Sequence, residues 1–539
     1  MGLLYFSKTR KAPGRTEFCK YSLRRRFSEI FMLFAGFFMI CMNDASGQAP
    51  LLEKPITIPK QHTTLYEALN LISQHAGCLF IYNSETVESD KHVRLYADHQ
   101  PLNKVLDDIL SNPGLAYKVL GKHILIYRVK NDAPPAEKVP ASAPGSDITR
   151  YVVIRGHVFD KENKAAIPYA TLGIVEENIG TITNSDGFFM LKIPDSLSGT
   201  SLVVSQLGVL SQQIPVKLLG QQQVDLYLDR RVISIQEVII RYLDPYVVIA
   251  KAMDQRSGNY PAEPVYLTTF YREGVQKNNK FTTYSEAVFK VYKAPFTGDE
   301  NSDQVKLLKS RKIQDANSPD TVFLKLKAGV QSALELDIVK FVPGFLDLSP
   351  PVEYTFRYSD LVSYNARDAY AITFVQNAGL KKALYSGTVY IEKESFAILG
   401  ADFEINPDYL DIAAENLVLK KSRRLIVKFK KIDYSVSYMS FNGRYYLSHA
   451  RCNMQVSTRL KNHISSDHFN TFLELATCKI DTAGVDKFPK QVILKPGVVF
   501  SDQPYSSNNA FWGDLNIISP EAKLSEALSE IIGKLEEIR

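Results

Sequence analysis

Period-two alternation of apolar and polar residues through the C-terminal part of the chain limits the fold more than any other feature. Alternating runs occupy residues 266–272, 283–292, 369–375, 386–391, 396–405, 434–438 and 444–447. Strict alternation indicates strands with one buried face and one wet face. So many of them predict a large, mostly antiparallel sheet, and Asn442-Gly443 predicts a tight hairpin turn between two of its strands.

Two helices are expected to flank that sheet. Residues 245–256 form a helical segment that begins with a proline and ends before Gly258-Asn259. Ser519-Pro520-Glu521 predicts the start of a terminal helix, with Pro520 at the first helical position. The apolar face of that helix is Leu524, Leu528, Ile531, Ile532 and Leu535. Residues 235–539 are therefore predicted to form a C-terminal β-rich domain that ends in a helix.

A proline-rich segment, residues 131–149, divides a small module from the rest of the chain. It is rich in proline and small residues, which predicts an extended linker. The preceding residues, 50–130, alternate short strands with two amphipathic helices. Thr64 and Glu67 have the spacing of a capping box at the start of the first helix. The sequence predicts a small module of two successive β-α-β units.

This first module resembles the short N-terminal domain shared by secretins and TonB-dependent receptors (STN). The resemblance lies in two helix faces and one strand of the module. They are Leu65-x-x-Ala68-Leu69-x-x-Ile72, Phe80-x-Tyr82 and Pro101-Leu102-x-x-Val105-Leu106-x-x-Ile109-Leu110. The resemblance implies a periplasmic module that contacts other proteins, including anti-sigma factors. The same residues also have the spacing of ordinary core packing.

Residues 150–232 contain short β runs about ten residues apart, separated by Gly, Pro, Asn and Asp, which predicts a β-sandwich. Three motifs resemble those of the carboxypeptidase regulatory-like domain, a prealbumin-like sandwich. They are Gly156-x-Val158-x-Asp160, Pro168-x-Ala170 and the turn Asp186-Gly187-Phe188-Phe189. Asp186 alone is far short of the six to eight oxygen ligands that calcium takes, so no metal site is predicted.

The C-terminal domain resembles the corresponding part of exported regulatory-like-domain proteins of Bacteroidetes type. The shared residues are Asn259-Tyr260, Phe270-Tyr271-Arg272-Glu273, Gly387-x-Val389-Tyr-Ile391 and Phe511-Trp512-Gly513-Asp514. This resemblance implies architecture and location. Its strand pattern is also similar to that of periplasmic half-barrels that carry lipid.

The first 47 residues have the pattern of a secretory signal peptide. Eight basic side chains precede a 13-residue apolar run, residues 30–42, and Ala45-x-Gly47 offers a cleavage site. An uncleaved anchor is the alternative, although the run is shorter than the roughly 20 residues that span a bilayer. Without this segment the net charge falls from +6 to +1, since 56 basic and 55 acidic side chains remain. A near-neutral chain gives no reason to expect nucleic acid binding. The predicted location is the periplasm or the periplasmic face of the outer membrane.

The sequence lacks the residue spacings of the common catalytic sites. None of its nine histidines begins a His-x-x-Glu or His-Glu-x-x-His motif, and no nucleophile elbow or phosphate-binding loop is present. His463 and His468 flank a predicted turn and are read as solvated. The basic run 420–431 is expected to form the solvent-exposed face of strands. The alternative is that it contacts anionic lipid or an acidic partner. We predict no catalytic residue, cofactor or metal.

Two cysteines are candidates for a disulfide. In a regular hairpin centred on Ser465, Cys452 and Cys478 would face each other at a separation that a disulfide can bridge. A one-residue bulge would put them on opposite faces. Cys78 is predicted to be a buried, unpaired thiol.

Together these features predict a multidomain protein of mixed α+β and β class. It would comprise a small β-α-β module, a prealbumin-like sandwich and a large antiparallel β domain with a terminal helix. The expected function is non-enzymatic and consists of binding other envelope proteins. TonB-receptor or anti-sigma machinery is the candidate partner, and association with the membrane is compatible with this function. The alternative is a periplasmic lipid or ligand carrier, or an unrecognised hydrolase, in the C-terminal domain.

Overall fold

The computed structural model describes most of the chain after residue 50. The described residues are 51–82, 87–88, 90–110, 115–128, 150–219, 223–234, 243–298, 302–314, 324–326, 329–365, 367–421, 423–494 and 509–528. The predicted signal peptide, with its apolar run 30–42, and the linker 131–149 lie outside these residues. No helix in the described part of the chain is both long and apolar enough to cross a membrane.

The first module contains two β-α-β units, as the sequence predicts. Its elements are β1 Pro55–Thr64, α1 Leu65–Ala76, β2 Leu79–Ile81, β3 His92–Pro101, α2 Leu102–Ile109, β4 Leu115–Leu120 and β5 His123–Arg128. The capping box is present, since the Thr64 side chain accepts the N–H of Glu67 and Glu67 reaches back to the N–H of Thr64. β1 pairs with β3, and a second sheet has the order β2-β5-β4.

The second module is a β-sandwich of two sheets. Its strands are β6 Tyr151–Asp160, β7 Thr171–Ile174, β8 Gly180–Ile182, β9 Phe188–Pro194, β10 Ser201–Ser205, β11 Gln212–Pro215 and β12 Gln223–Leu228. The sheet orders are β11-β10-β7-β8 and β12-β6-β9. Aliphatic side chains from both sheets fill the space between them, as the burial of Ile154, Leu172 and Leu202 illustrates.

The first module docks against the sandwich through backbone and aromatic contacts. Tyr82, just after β2, forms an antiparallel bridge with Asp225 of β12, and the Asp225 N–H donates to the Tyr82 carbonyl at 2.6 Å. The Tyr66 hydroxyl donates to the carbonyl of Lys161 at 2.5 Å. The bridge joins the two modules' sheets in the order β4-β5-β2-β12-β6-β9, with β4 at the outer edge.

The C-terminal domain is built on an antiparallel sheet of eleven strands. Its strands are β13 Val232–Ser234, β14 Val265–Lys277, β15 Lys280–Lys293, β16 Gln304–Gln314, β18 Tyr354–Tyr364, β19 Arg367–Gln376, β20 Tyr385–Glu392, β21 Ile398–Ile405, β23 Leu425–Phe441, β24 Arg444–Leu460 and β25 Asp467–Asp481. Two further short strands, β17 Leu324–Leu326 and β22 Val418–Lys421, lie outside this sheet. The order is β13-β18-β19-β20-β21-β23-β24-β25-β14-β15-β16, while β17 and β22 pair with each other. β14 and β25 are neighbours although they are far apart in the chain.

Helices and loops cover one face of this sheet. The helices of the domain are α3 Pro245–Asp254, α4 Arg256–Asn259, α5 Val330–Leu334 and α6 Leu410–Leu417. α3 begins at a proline behind the N-cap Asp244, whose side chain accepts the N–H of Tyr246. Val248 and Ile249 of α3 share a core with α5 and with strands from across the sheet. The opposite face receives the sandwich and residues 509–528.

Two local predictions about turns and helix ends differ in outcome. Asn442 and Gly443 both have positive φ, at 48° and 72°, and join β23 to β24 as predicted. The terminal helix starts at residue 522, so Pro520 and Glu521 precede the helix rather than occupying its first turn. The predicted position of Pro520 at the first helical residue is wrong.

The predicted pairing of Cys452 with Cys478 is also wrong. β24 and β25 do form a hairpin, but its register places Cys452 opposite Leu473. Cys478 lies five positions beyond Leu473, and an odd offset puts its side chain on the opposite face of the sheet. Both thiols are free and buried, as is Cys78.

Candidate functional site

A row of alternating charges crosses five neighbouring strands on the face of the large sheet that receives the sandwich. Arg451 of β24 pairs with Glu474 of β25, and Glu474 pairs with Arg272 of β14. Arg272 pairs with Glu286 of β15, which pairs with Arg311 of β16. We call these five residues the charge row. Directly opposed side chains lie close enough to interact, so each of the three inner charges has a neighbour of opposite sign on either side, and each end arginine has one.

The charge row is almost completely buried. Arg272 and Glu474 are both 0% exposed and are joined Nε to Oε2 at 2.5 Å. The Glu474 Oε2 atom also lies 3.2 Å from Arg451 Nη1. Arg311 Nε reaches Glu286 Oε2 at 2.6 Å. Removing such charges from water costs several kcal/mol per ion, so the row is stable only because each ion finds close partners.

Glu474 contacts a histidine as well as two arginines of the row. His449 Nε2 lies 2.8 Å from Glu474 Oε1, and the imidazole stacks on the ring of Tyr169 from the sandwich, with centroids 4.8 Å apart. Burial opposes ionisation of Glu474, but Arg272 and Arg451 outweigh it and hold the pKa of this carboxyl well below its usual value. Glu474 is therefore a carboxylate in the folded protein. Burial raises the pKa of the neighbouring Tyr169 to about 12.

The C-terminal segment, residues 509–528, packs over the charge row. The Arg272 guanidinium donates two hydrogen bonds to the Glu521 carboxylate, which makes a bidentate ion pair. The ring of Trp512 lies 5.1 Å from the guanidinium of Arg311. Trp512 also packs edge-on against Phe270, with centroids 5.8 Å apart. Cation–π contact and paired hydrogen bonds thus fix the segment onto the charges it covers.

The sandwich holds the other side of this C-terminal segment. Asp186 Oδ2 accepts the N–H of Ala522 at 2.9 Å, and the amide of Asn184 donates to the carbonyl of Ser519 at 3.1 Å. The Asp186 carboxylate, excluded above as a calcium ligand, therefore caps the start of the terminal helix. The sandwich, the large sheet and the C-terminal segment meet at the charge row.

A glycine next to the row makes room for an aromatic cover. Gly274 lies opposite Phe472 in the neighbouring strand, and a Cβ there would come within 2.5 Å of the Phe472 ring. That ring lies 4.9 Å from the guanidinium of Arg451. A glycine in mid-strand costs sheet stability, and here it leaves room for the Phe472 ring beside the row.

A polar cleft opens where the row ends at β24. It has a volume of about 680 Å³ and lies between the sandwich residues Tyr169 and Gln206 and the sheet strands β20, β21, β23 and β24. Its side chains are linked to one another: Ser435 donates to Asp402 at 2.7 Å, and Asn453 donates to Asp433 at 2.7 Å. A second cleft, of about 540 Å³, lies between the sandwich and the ends of β24 and β25.

A second group of buried charges lies on the other face of the sheet. Lys293 Nζ contacts Asp303 at 2.8 Å and Asp337 at 2.9 Å, and Lys340 Nζ contacts Asp303 at 2.6 Å. The Tyr438 hydroxyl donates to Asp337 at 2.7 Å. Burial works against the charged forms, but mutual attraction raises the pKa of Lys293 and lowers that of Asp337. The cavity beside Lys293 has a volume of about 40 Å³, which is room for roughly one water molecule.

The titratable residues singled out in the sequence do not come together. Burial raises the pKa of Cys78 to about 11, and that of Cys452 and Cys478 to about 12, which favours the unreactive thiol over the thiolate. His463 is exposed in the loop between β24 and β25, and His468 is exposed at the start of β25. Within the described ranges no group of three or more His, Cys, Asp or Glu side chains is placed to hold a metal ion.

Neither the charge row nor the lysine–aspartate group is predicted from the sequence. The available signal was a single charge within an apolar strand run, as at Arg272, Glu286 and Glu474. Such a charge within a buried strand needs a partner. The partner's identity depends on strand order, which alternation does not reveal.

Comparison with known proteins finds a family match for one module of the chain, the β-sandwich. Residues 154–240 match the model of the CarboxypepD_reg-like domain family. No curated protein matches the chain. A DUF1329 family protein from Desulfovibrio piger is 12% identical, with 45% of this chain and 96% of that chain covered and a TM-score of 0.20. Lipovitellin, in a structure describing its lipid–protein interactions, is 8% identical, with 43% and 27% covered and a TM-score of 0.21. TM-scores this low do not establish a shared fold.

Proposed function

We propose that this chain is a non-enzymatic protein of the cell envelope that works by binding other proteins. Its place would be the periplasm or the periplasmic face of the outer membrane, with the first module acting as an STN domain. TonB-receptor or anti-sigma machinery is the proposed class of partner. An exported protein of Bacteroidetes type is the proposed family context.

The observation that carries the proposal is the outer strand β4. Among the described strands it pairs with β5 alone, so its other edge offers N–H and C=O groups along six residues. Lys118 is exposed and Leu120 is 37% exposed on this strand. An exposed edge of this kind accepts an extended segment of a partner as an additional strand.

The burial of the chain's ionisable side chains also supports a binding role. His449, Glu474 and Arg272 are buried and engaged with one another and with neighbouring charges. Catalytic acids and bases need access to a substrate proton. Here the same groups stabilise the junction of the sandwich, the large sheet and the C-terminal segment, which holds the sandwich in a fixed position on the sheet.

A pull-down from detergent-solubilised envelopes tests the proposal. The tagged full chain is compared with a Leu120→Glu, Lys118→Glu double variant, whose added negative charge opposes strand addition at β4. A Val375→Glu variant is the matched control, because Val375 is 52% exposed on β19 of the large sheet. We expect a defined partner with the wild-type and control chains and its loss with the β4 variant. Equal recovery by all three chains would contradict a role for β4.

A ligand carrier is the second candidate, favoured by the polar cleft. Its volume of about 680 Å³ lies within the range of small-molecule sites. Native mass spectrometry of the protein purified from envelopes would reveal a bound small molecule. Its loss in an Asp402→Ala, Asp433→Ala variant that still folds would favour the carrier over the protein-binding role.

A further inference from the structure

Three connections of the large sheet meet at one of its ends. The Lys461 N–H donates to the carbonyl of Arg424 at 2.7 Å, so the loop after β24 lies beside the start of β23. The Asn278 N–H donates to the carbonyl of His468 at 2.7 Å, which places the β14–β15 turn on the other side. We call residues 277–280, 423–424 and 459–467 the sheet tip.

An isoleucine projects from the sheet tip. Ile464 is 98% exposed, whereas the other exposed large apolar side chains of the described chain reach at most 53%, at Tyr96. The neighbouring loop residues, from Lys461 to Ser466, are exposed as well. Ile464 therefore stands on a convex projection rather than in a groove.

Basic side chains share the sheet tip with this isoleucine. Lys280, Arg424, Arg459 and Lys461 are all exposed at the sheet tip. The acid of the tip, Asp467, is held by Lys277 at 3.0 Å and by the Asn278 amide at 3.1 Å. The tip thus combines a projecting apolar side chain with a net positive charge.

We propose that the sheet tip binds the surface of an anionic lipid bilayer, with Ile464 inserted into the interfacial region. A protein partner gains little contact area from one projecting side chain, whereas a bilayer encloses a convex apolar group from all sides. Cations near an anionic leaflet each add to the attraction, and apolar insertion adds to it further. The bilayer contact is separate from the protein contacts proposed for β4, which lies in a different module.

Vesicle sedimentation with the full chain tests this contact. Vesicles of phosphatidylcholine alone are compared with vesicles of phosphatidylcholine and phosphatidylglycerol. We expect binding to the anionic vesicles and little to the neutral ones. Binding should weaken as salt rises from about 0.1 M to about 1 M, because the Debye length falls from about 10 Å to about 3 Å.

Two variants separate the apolar and the electrostatic parts. Ile464→Ser should weaken binding roughly tenfold, and Lys461→Gln about fivefold. Ile412→Ser is the matched control, since Ile412 is 42% exposed on α6, and it should bind like the wild type. Denaturant unfolding of each variant verifies that the fold is retained.

The proposal is overturned by equal binding to neutral and anionic vesicles, by binding that salt does not weaken, or by an Ile464→Ser variant that binds like the wild type. Absence of binding to either kind of vesicle also overturns it. The β4 pull-down is independent of these outcomes, so failure of the bilayer contact leaves the protein-binding proposal intact.

Discussion

Arg272 and Glu521 form a two-pronged ion pair across 249 positions of the chain. Arg272 Nη1 lies 3.1 Å from Glu521 Oε2, and Nη2 lies 2.7 Å from Oε1. Glu521 sits just before the terminal helix, and Arg272 lies midway along β14, two strands from the β16 edge of the large sheet. The pair therefore fastens the segment 509–528 to β14 of the large sheet, and the sandwich holds the same segment through Asp186.

Removing the charge of Glu521 should destabilise this junction. Glu521→Gln leaves Arg272 buried between its strand neighbours Glu474 and Glu286, at a cost of about 1–3 kcal/mol in the free energy of unfolding. Denaturant titration measures the change. Glu526→Gln, on the exposed side of the same helix, is the control and should change the free energy by less than about 0.5 kcal/mol. Equal effects of the two substitutions would show that the pair contributes nothing particular.

Mid-strand Gly274 should not tolerate a side chain. Gly274→Ala places a Cβ within 2.5 Å of the Phe472 ring, and overpacking of this kind costs about 1–3 kcal/mol of unfolding free energy. Gly173→Ala is the matched control, because Gly173 also lies in a strand and its added Cβ would meet no atom within 4 Å. Phe472→Leu should recover part of the loss when combined with Gly274→Ala. A Gly274→Ala variant as stable as the Gly173→Ala variant would contradict the packing described here.

The three buried cysteines should be unreactive in the folded protein. The pKa of both Cys452 and Cys478 is raised to about 12 by burial, so the thiolate is scarce near neutral pH. Iodoacetamide should label Cys78, Cys452 and Cys478 only after denaturant is added. A non-reducing peptide map should find no bridge between Cys452 and Cys478. Rapid labelling of the native protein would contradict the burial of these thiols, and a peptide linked by a Cys452–Cys478 disulfide would contradict the register of β24 and β25.

The features predicted correctly from the sequence depend on local chemistry. The Thr64–Glu67 capping box, the Asn442-Gly443 turn and the start of α3 at Pro245 each involve residues a few positions apart. Alternation likewise predicted the large antiparallel sheet, because the pattern within each strand records which face is buried. The sandwich followed from the spacing of short strands and turns.

The features that the sequence did not predict depend on which strands become neighbours. Cys452 and Cys478 were paired by assuming a symmetric hairpin, but the register sets Cys452 opposite Leu473. The charge row requires β14 to lie between β25 and β15, and no local pattern specifies the contact between β14 and β25. The approach of Glu521 to Arg272 likewise depends on how three separate parts of the chain pack together.

The ion pairs of Glu474 should make stability depend on acid pH. The pKa of this carboxyl is held well below its usual value in the folded protein, whereas in the unfolded chain it is near the ordinary glutamate value of about 4.3. Lowering the folded pKa means that the stabilisation is complete above the unfolded value and is lost as pH falls toward the folded value. The free energy of unfolding should therefore decrease steadily below about pH 5.

A Glu474→Gln variant isolates this contribution. It should be less stable than the wild type by about 3–5 kcal/mol near neutral pH, because Arg272 and Arg451 lose a buried counter-charge. The difference from the wild type should shrink as pH falls below about 4, since protonation of Glu474 then removes the same charge from the wild type. Denaturant unfolding at a series of pH values measures both curves. A constant difference between the curves across the acid range would mean that Glu474 stabilises the protein by packing alone, without its charge.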